Sequence, residues 1–180
     1  LVELLRLANP KIHGFERIVL WGGSASLKLV EDRSWLDKRT PLALDKGLLQ
    51  RTFWQSYCLS KAAGDEGCAV LFVPGGSYAG DFQPVVTMSQ NLLPFEMLEL
   101  RRYGWTLLMF KLMLLRLTQS RSFRKANGVI FLTEYARSKV LSVIGKISGQ
   151  TSIVPHGLNP RFNKAPKLQK ISMNTIMLTH

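Results

Sequence analysis

The sequence predicts an α/β fold, a parallel sheet with helices wound on both faces, and two observations predict it. Short runs recur that are apolar at every position: AVLFV at 69–73, VVTM at 85–88 and GVIFL at 128–132. Strands covered on both faces read this way, whereas a strand with one wet face alternates. Segments of helical period separate these runs, and parallel crossovers require that alternation of strand and helix.

The bulk numbers agree with one such domain. The chain has 180 residues, 46% hydrophobic and 20% charged, which is enough apolar material for a core and excludes general disorder. Cys58 and Cys68 form no metal-type or redox-type pair, so a disulfide scaffold is excluded and both are expected as free thiols in a reducing compartment. The net charge of +12 is unevenly placed. Of 24 Lys/Arg and 12 Asp/Glu, ten and eleven respectively lie up to Glu99, which leaves fourteen basic residues and Glu134 alone beyond it. Such asymmetry points to an anionic partner (nucleic acid, an anionic membrane surface or a phosphorylated substrate) or else only to solubility. No secretory signal opens the chain. The longest apolar run, 105–117, is interrupted by Lys111 and Arg116. As a helix it would rise about 20 Å, short of a hydrocarbon layer of about 30 Å.

Each element follows from local pattern. Residues 1–8 place apolar side chains on one helical face until Asn9-Pro10 stops them. ERIVLW at 16–21, bounded by Gly14 and Gly22-Gly23, reads as a strand, and the stretch from there to Lys46 is polar and punctuated. Residues 48–63 read as a helix through Leu49, Phe53 and Tyr57 at four-residue steps, ended by Gly64 and Gly67. Strands follow at 69–73 and 85–88, then a long helix from Glu96 towards Lys125, then the strand at 128–132. Thr133 can cap a helix with Val140, Leu141, Ile144 and Ile147 on one face, stopped by Gly149, and TSIV at 151–154 is the last strand. From Pro160 the chain turns basic and loses its period. Residues 1–160 are therefore expected as the domain, and 161–180 as a linker or the truncated start of a second one.

Ligands of open parallel sheets bind beyond the carboxyl ends of the strands, which singles out four loops. The first holds Gly75, Gly76, Ser77 and Tyr78, where glycines permit close approach of a ligand and equally make a tight turn. It is neither a dinucleotide fingerprint nor a Walker loop. The second, Ser89, Gln90 and Asn91, offers three neutral donors and acceptors suited to polyol hydroxyls, and the same residues serve strand-to-helix turns. In the third, Thr133 and Glu134 answer a helix N-terminus, and Glu134 is also a candidate for a hydroxyl. The fourth is His156 and Gly157 after the last strand. No paired histidines for a metal, nucleophile elbow or carboxylate pair on one element appears, so the loops offer binding chemistry and no catalytic residue or metal ligand is assigned.

Four motifs, VLFVPGGSY, VVTMSQNLLPFE, ANGVIFLTEYARS and SIVPHGLNPRF, resemble in order and spacing the N-terminal domain of group 1 glycosyltransferases, family four. The likeness runs over roughly residues 1–162, and its last motif is similar to that family's exit into the interdomain linker. The resemblance implies the GT-B fold, two Rossmann-like domains facing across a cleft, of which this chain would be the acceptor-side half. The opening strand with its glycine-rich loop, and the C-terminal donor-binding domain with its E-x7-E signature, would lie outside the chain. The resemblance further implies transfer of a hexosyl group from a nucleoside diphosphate sugar to a saccharide or lipid-linked acceptor. That transfer would retain configuration and need no metal, as in cell-envelope polysaccharide biosynthesis. The missing domain would be the partner, and this half alone would bind no cofactor and be inactive. Many members carry a histidine after the strand equivalent to VVTM; here Ser89, Gln90 and Asn91 stand there.

Members that build lipid-linked sugars work at a membrane face, which makes Arg101, Arg102, Arg116, Arg121, Arg124 and Lys125 candidates for lipid phosphates. The expected location is cytoplasmic, or peripheral on the cytoplasmic face of the membrane. On one continuous helix over 96–125, Lys111 falls opposite Arg101, and the charges form no single stripe. The alternative function is a basic, non-enzymatic α/β module for nucleic acid or another polyanion. Aromatic and basic residues do not interleave as a stacking platform requires, so nucleic acid is not the expected partner. A nicotinamide-dependent enzyme would need a glycine fingerprint that the chain lacks.

Overall fold

The computed structural model describes residues 2–102, 104 and 106–157, so the expected linker at 161–180 lies outside the described residues. The fold is mixed α/β with every strand pair parallel, and the strands form two sheets. In the smaller, β1 (Ile18–Trp21) pairs with β2 (Leu36–Arg39). In the larger, β3 (Leu71–Val73), β4 (Val85–Ser89), β5 (Gly128–Phe131) and β6 (Gln150–Ile153) lie side by side in chain order.

The larger sheet buries one face. Leu71, Val85, Thr87, Ser89, Val129 and Phe131 point to it and are buried. They meet Leu59 and Ala63 of α4 (Leu59–Asp65), Phe123 of α6 (Leu107–Lys125), and Val140 and Ile144 of α7 (Glu134–Ile144). Phe123 lies between Phe95, stacked at 6.0 Å, and Phe131, edge-on at 6.4 Å. Along the other face Phe72 and Ser152 are exposed, and Val86, Met88 and Ile130 are half-buried. The strand order explains the asymmetry. Right-handed crossovers that always step the same way place their helices on the same side. Covering on both sides is met in the smaller sheet. There Ile18, Leu20 and Leu36 join Leu5 of α1 (Val2–Leu7) and Val30, while Trp21 packs against the larger core.

Besides the end of α7, three elements differ from sequence expectation, each for a physical reason. The helix expected from Glu96 to Lys125 is broken at Gly104, whose φ of 57° lies in the left-handed region. It divides into α5 (Met97–Arg102) and α6, and Thr106 caps α6 by accepting from Met109 N. The helix from Leu48 is α3 (Leu48–Phe53), then a π turn over Trp54–Cys58, then α4. The widened turn rotates one face against the next. Leu49, Phe53 and Tyr57 consequently point to solvent, and Leu59 and Ala63 enter the core. Finally, β2 arises from LDKR, in a stretch with no apolar period, while α2 (Ser24–Leu27) turns the chain between β1 and β2. Thr133 caps α7 as expected, accepting from Ala136 N at 3.0 Å, and Gly145 rather than Gly149 ends that helix. No described helix is long and apolar enough to cross a membrane.

Candidate functional site

Because β3 to β6 are parallel and adjacent, the loops after Val73, Ser89, Phe131 and Ile153 leave from one edge of the sheet. The four sequence-selected segments therefore share a rim. Strands sit about 4.8 Å apart, so the glycine loop and His156 are separated along it by roughly 15 Å.

The glycine loop is the most firmly built part of this rim. Gly76 is buried, with φ 76°. A Cβ there would fall 2.8 Å from Gln119 Nε2 and 3.1 Å from Met88 O, so the loop lies directly over the end of β4 and against α6. Side chains of α6 hold it: Gln119 Nε2 donates to Gly75 O at 3.5 Å, Ser122 Oγ accepts from Tyr78 N at 3.1 Å, and Thr118 meets Ser77 at 3.4 Å. From α4, Ser60 Oγ bonds Tyr78 Oη at 2.8 Å and accepts from Asp81 N, while Tyr78 Oη accepts from Phe82 N.

Beneath the loop two polar atoms have no partner. Ser89 and Gln119 are each 3% exposed, and neither Ser89 Oγ nor Gln119 Oε1 makes a hydrogen bond. A buried polar group left unpaired costs about 1–3 kcal/mol, which a ligand hydroxyl or a water would offset. One can donate as well as accept and the other accepts only, so both suit a neutral hydroxyl.

The other selected residues of the rim are exposed. Gln90 and Asn91 are exposed, and Asn91 Oδ1 accepts from Leu93 N at 3.0 Å, a turn-forming role. Glu134 is exposed and pairs with Arg137 at 3.4 Å along its own helix. His156 and Gly157 stand exposed at the far end of the rim. A contact that sequence reasoning did not foresee, though it had singled out Tyr135 beside Glu134, joins the segments after β4 and β5. Tyr135 Oη donates to Glu96 Oε1 at 2.6 Å, and Lys139 Nζ reaches Glu96 at 3.7 Å and covers the Tyr135 ring at 5.6 Å. That hydrogen bond, with burial and the charges of Glu96 and Glu99, raises the phenol above its ordinary pKa.

Ser60, Gln119 and Ser122 were missed as well. Gln119 and Ser122 leave one trace in the sequence, the polar cluster TQSRS at 118–122 that interrupts a largely apolar helix, and Ser60 leaves none.

Of the basic candidates, Arg102 pairs with Glu99 at 3.0 Å, Arg116 Nη1 lies 2.6 Å from Met97 Sδ, and Arg124 donates twice to Ile144 O. Arg101, Arg121 and Lys125 are exposed. Among the described residues no three His, Cys, Asp or Glu side chains gather to hold a metal ion. A depression of about 610 Å³ lies elsewhere, between Ser24, Lys28, Asp32, Lys38 and Thr40. It is shallow and open, and Lys38 already pairs with Asp32 across it at 2.7 Å. Compared with protein-family models, curated proteins and solved structures, the chain matches none.

Proposed function

We propose that this chain is the acceptor-side half of a retaining GT-B glycosyltransferase, with the rim after β3 to β6 as its side of the cleft. The observation that carries this reading is the pair of buried, unpaired polar atoms, Ser89 Oγ and Gln119 Oε1, under a glycine loop held by neutral side chains. A charged ligand would call for charged partners there, whereas sugar hydroxyls are matched by neutral donors and acceptors. On this reading Ser89, Gln119 and the Gly75–Gly76 backbone orient acceptor hydroxyls, and His156 faces the cleft from the other end. Glu134 takes a lesser part, because Arg137 already occupies it. The nucleoside diphosphate sugar belongs to the second domain, and the transfer is assigned to the assembled enzyme.

The test is an amide-resolved titration of the 180-residue chain with a panel of hexoses, disaccharides and a nucleoside diphosphate, and separately with a DNA duplex. Saccharides at millimolar concentration are expected to move the amides of Gly75, Gly76, Tyr78, Gln90 and His156, and the nucleotide to leave them unmoved. Tight, steeply salt-dependent DNA binding centred on the basic half, with no saccharide response, would overturn the proposal in favour of a polyanion-binding module.

A further inference from the structure

The smaller sheet repeats the arrangement that selected the rim of the larger one. β1 and β2 are parallel, so the segments after Trp21 and Arg39 leave from one edge. The depression between Ser24, Lys28, Asp32, Lys38 and Thr40 lies along that edge. Ser24 follows β1 across Gly22-Gly23, and Thr40 directly follows β2. Its volume of about 610 Å³ is within the range of about 300–1,000 Å³ that small-molecule sites occupy.

Lys38 is the fixed point of this depression. Side chains alternate along a strand, so Lys38 shares the face of Leu36, which is buried with Leu5 and Val30. The Lys38 side chain is 21% exposed, and its amine donates to Val30 O and pairs with Asp32 at 2.7 Å. An ammonium has three protons, and the third has no partner among the described residues. Asp32 is held far less, with its side chain 96% exposed. A pair with one partner wholly in solvent adds little, so a ligand anion can displace Asp32 while Lys38 stays in place. Glu31, the other acid of the wall, is already held by Arg33 at 2.6 Å. Lys28 is exposed and pairs with no carboxylate among the described residues. Once Asp32 swings out, two cations face the depression without a counter-charge.

The neutral groups specify the rest of the ligand. Thr40 is exposed, and its hydroxyl has no partner among the described residues. Ser24 Oγ donates to Asp45 at 3.0 Å and keeps lone pairs that can accept. Both suit ligand hydroxyls, and a bare anion would leave them and most of the volume unused. We propose that this depression binds a hexose-sized polyol carrying one anionic group, a carboxylate or a phosphomonoester. The anionic group replaces the Asp32 carboxylate on Lys38 and meets Lys28, while the ligand hydroxyls meet Thr40 and Ser24. The site belongs to the smaller sheet and holds whether or not the rim of the larger one binds sugars.

Amide-resolved titration of the 180-residue chain tests it, with glucuronate, glucose 6-phosphate, glucose and inorganic phosphate as probes. At least one of the two anionic sugars is expected to move the amides of Leu27, Lys28, Lys38 and Thr40, and the tighter of them identifies the anionic group. Glucose and inorganic phosphate should bind about ten-fold more weakly or less. Asp32→Asn removes the internal competitor and should tighten binding about three-fold. Lys38→Met should weaken it about ten-fold or more. Lys28→Gln, at an exposed position that leaves the fold alone, should weaken it about three-fold and serves if Lys38→Met lowers the melting temperature. Asp65→Asn makes the same change of charge outside the depression and should leave affinity unchanged. The inference is overturned if neither anionic sugar moves these amides, or if inorganic phosphate binds as tightly as they do. It is overturned equally if Asp65→Asn tightens binding as much as Asp32→Asn, which would show general attraction of anions. Movement at Gly75 and Gly76 alone would overturn it and leave the reading of the rim intact.

Discussion

Gly76 ties the candidate site to the stability of the fold. Its φ of 76° strains any side chain, and an added Cβ would fall 3.1 Å from Met88 O and displace the Gln119 amide, 2.8 Å away. Gly76→Ala is expected to lose about 1–3 kcal/mol of stability, measured by denaturant unfolding. Gly75→Ala, where a Cβ meets nothing within 4 Å, should stay within about 1 kcal/mol and serves as its control. Read from sequence, the two glycines are equivalent. What separates them is α6 packing over the second, and Gln119 lies more than forty residues further along the chain. Ser89 was selected as one of three polar loop residues, yet it ends β4 and is buried, while its neighbours Gln90 and Asn91 are exposed.

At the level of elements, Glu66 joins the two sheets. It follows α4, receives Arg39 Nε of β2 at 2.7 Å, and lies 3.4 Å from Arg17 before β1. The Arg39 hydrogen bond holds the Glu66 carboxyl below its ordinary value. A carboxyl depressed in this way adds stability above the ordinary glutamate range, and loses it as pH falls through the lowered value. Glu66→Gln should therefore melt below the wild type at neutral pH, with the gap closing in acid, as thermal melts across pH would show. The same contacts explain why β2 escaped sequence reading. LDKR has no strand period, and its charges are satisfied by Arg17, Asp32 and Glu66, all from other elements. The strands β1, β3, β4 and β5 were legible because burial leaves a local apolar signature, whereas β6, exposed at three of its four positions, was marked by Gly149 before it and Pro155 after it. The break at Gly104 and the π turn were not, since an isolated glycine is tolerated in helices and a widened turn preserves the local apolar count.

For the molecule as a whole, the two sheets differ in their support. β4 and β5 each have a strand on both sides, whereas β1 and β2 have only each other, and a two-stranded sheet is marginal alone. Amide hydrogen exchange should be slowest in β4 and β5 and at least about ten-fold faster in β1 and β2. Uniform protection would show that the Glu66 contacts bind the sheets into one cooperative unit. The topology of the rim was readable in advance, because parallel strands in chain order send their loops to one side. The hold on the glycine loop was not, because Gln119 and Ser122 reach it from a helix more than forty residues further along the chain.

The four-stranded sheet ends at β3 and β6, each with one row of main-chain groups that no described strand takes up. Two molecules related by a dyad can join β6 only to another β6 running the opposite way, a closed pairing that ends at two. Joining β6 of one molecule to β3 of the next would keep the direction of every strand, but such stacking never closes and would grow into a filament. With three residues, β3 offers little purchase for that growth, and this brevity shields the molecule from unlimited polymerisation.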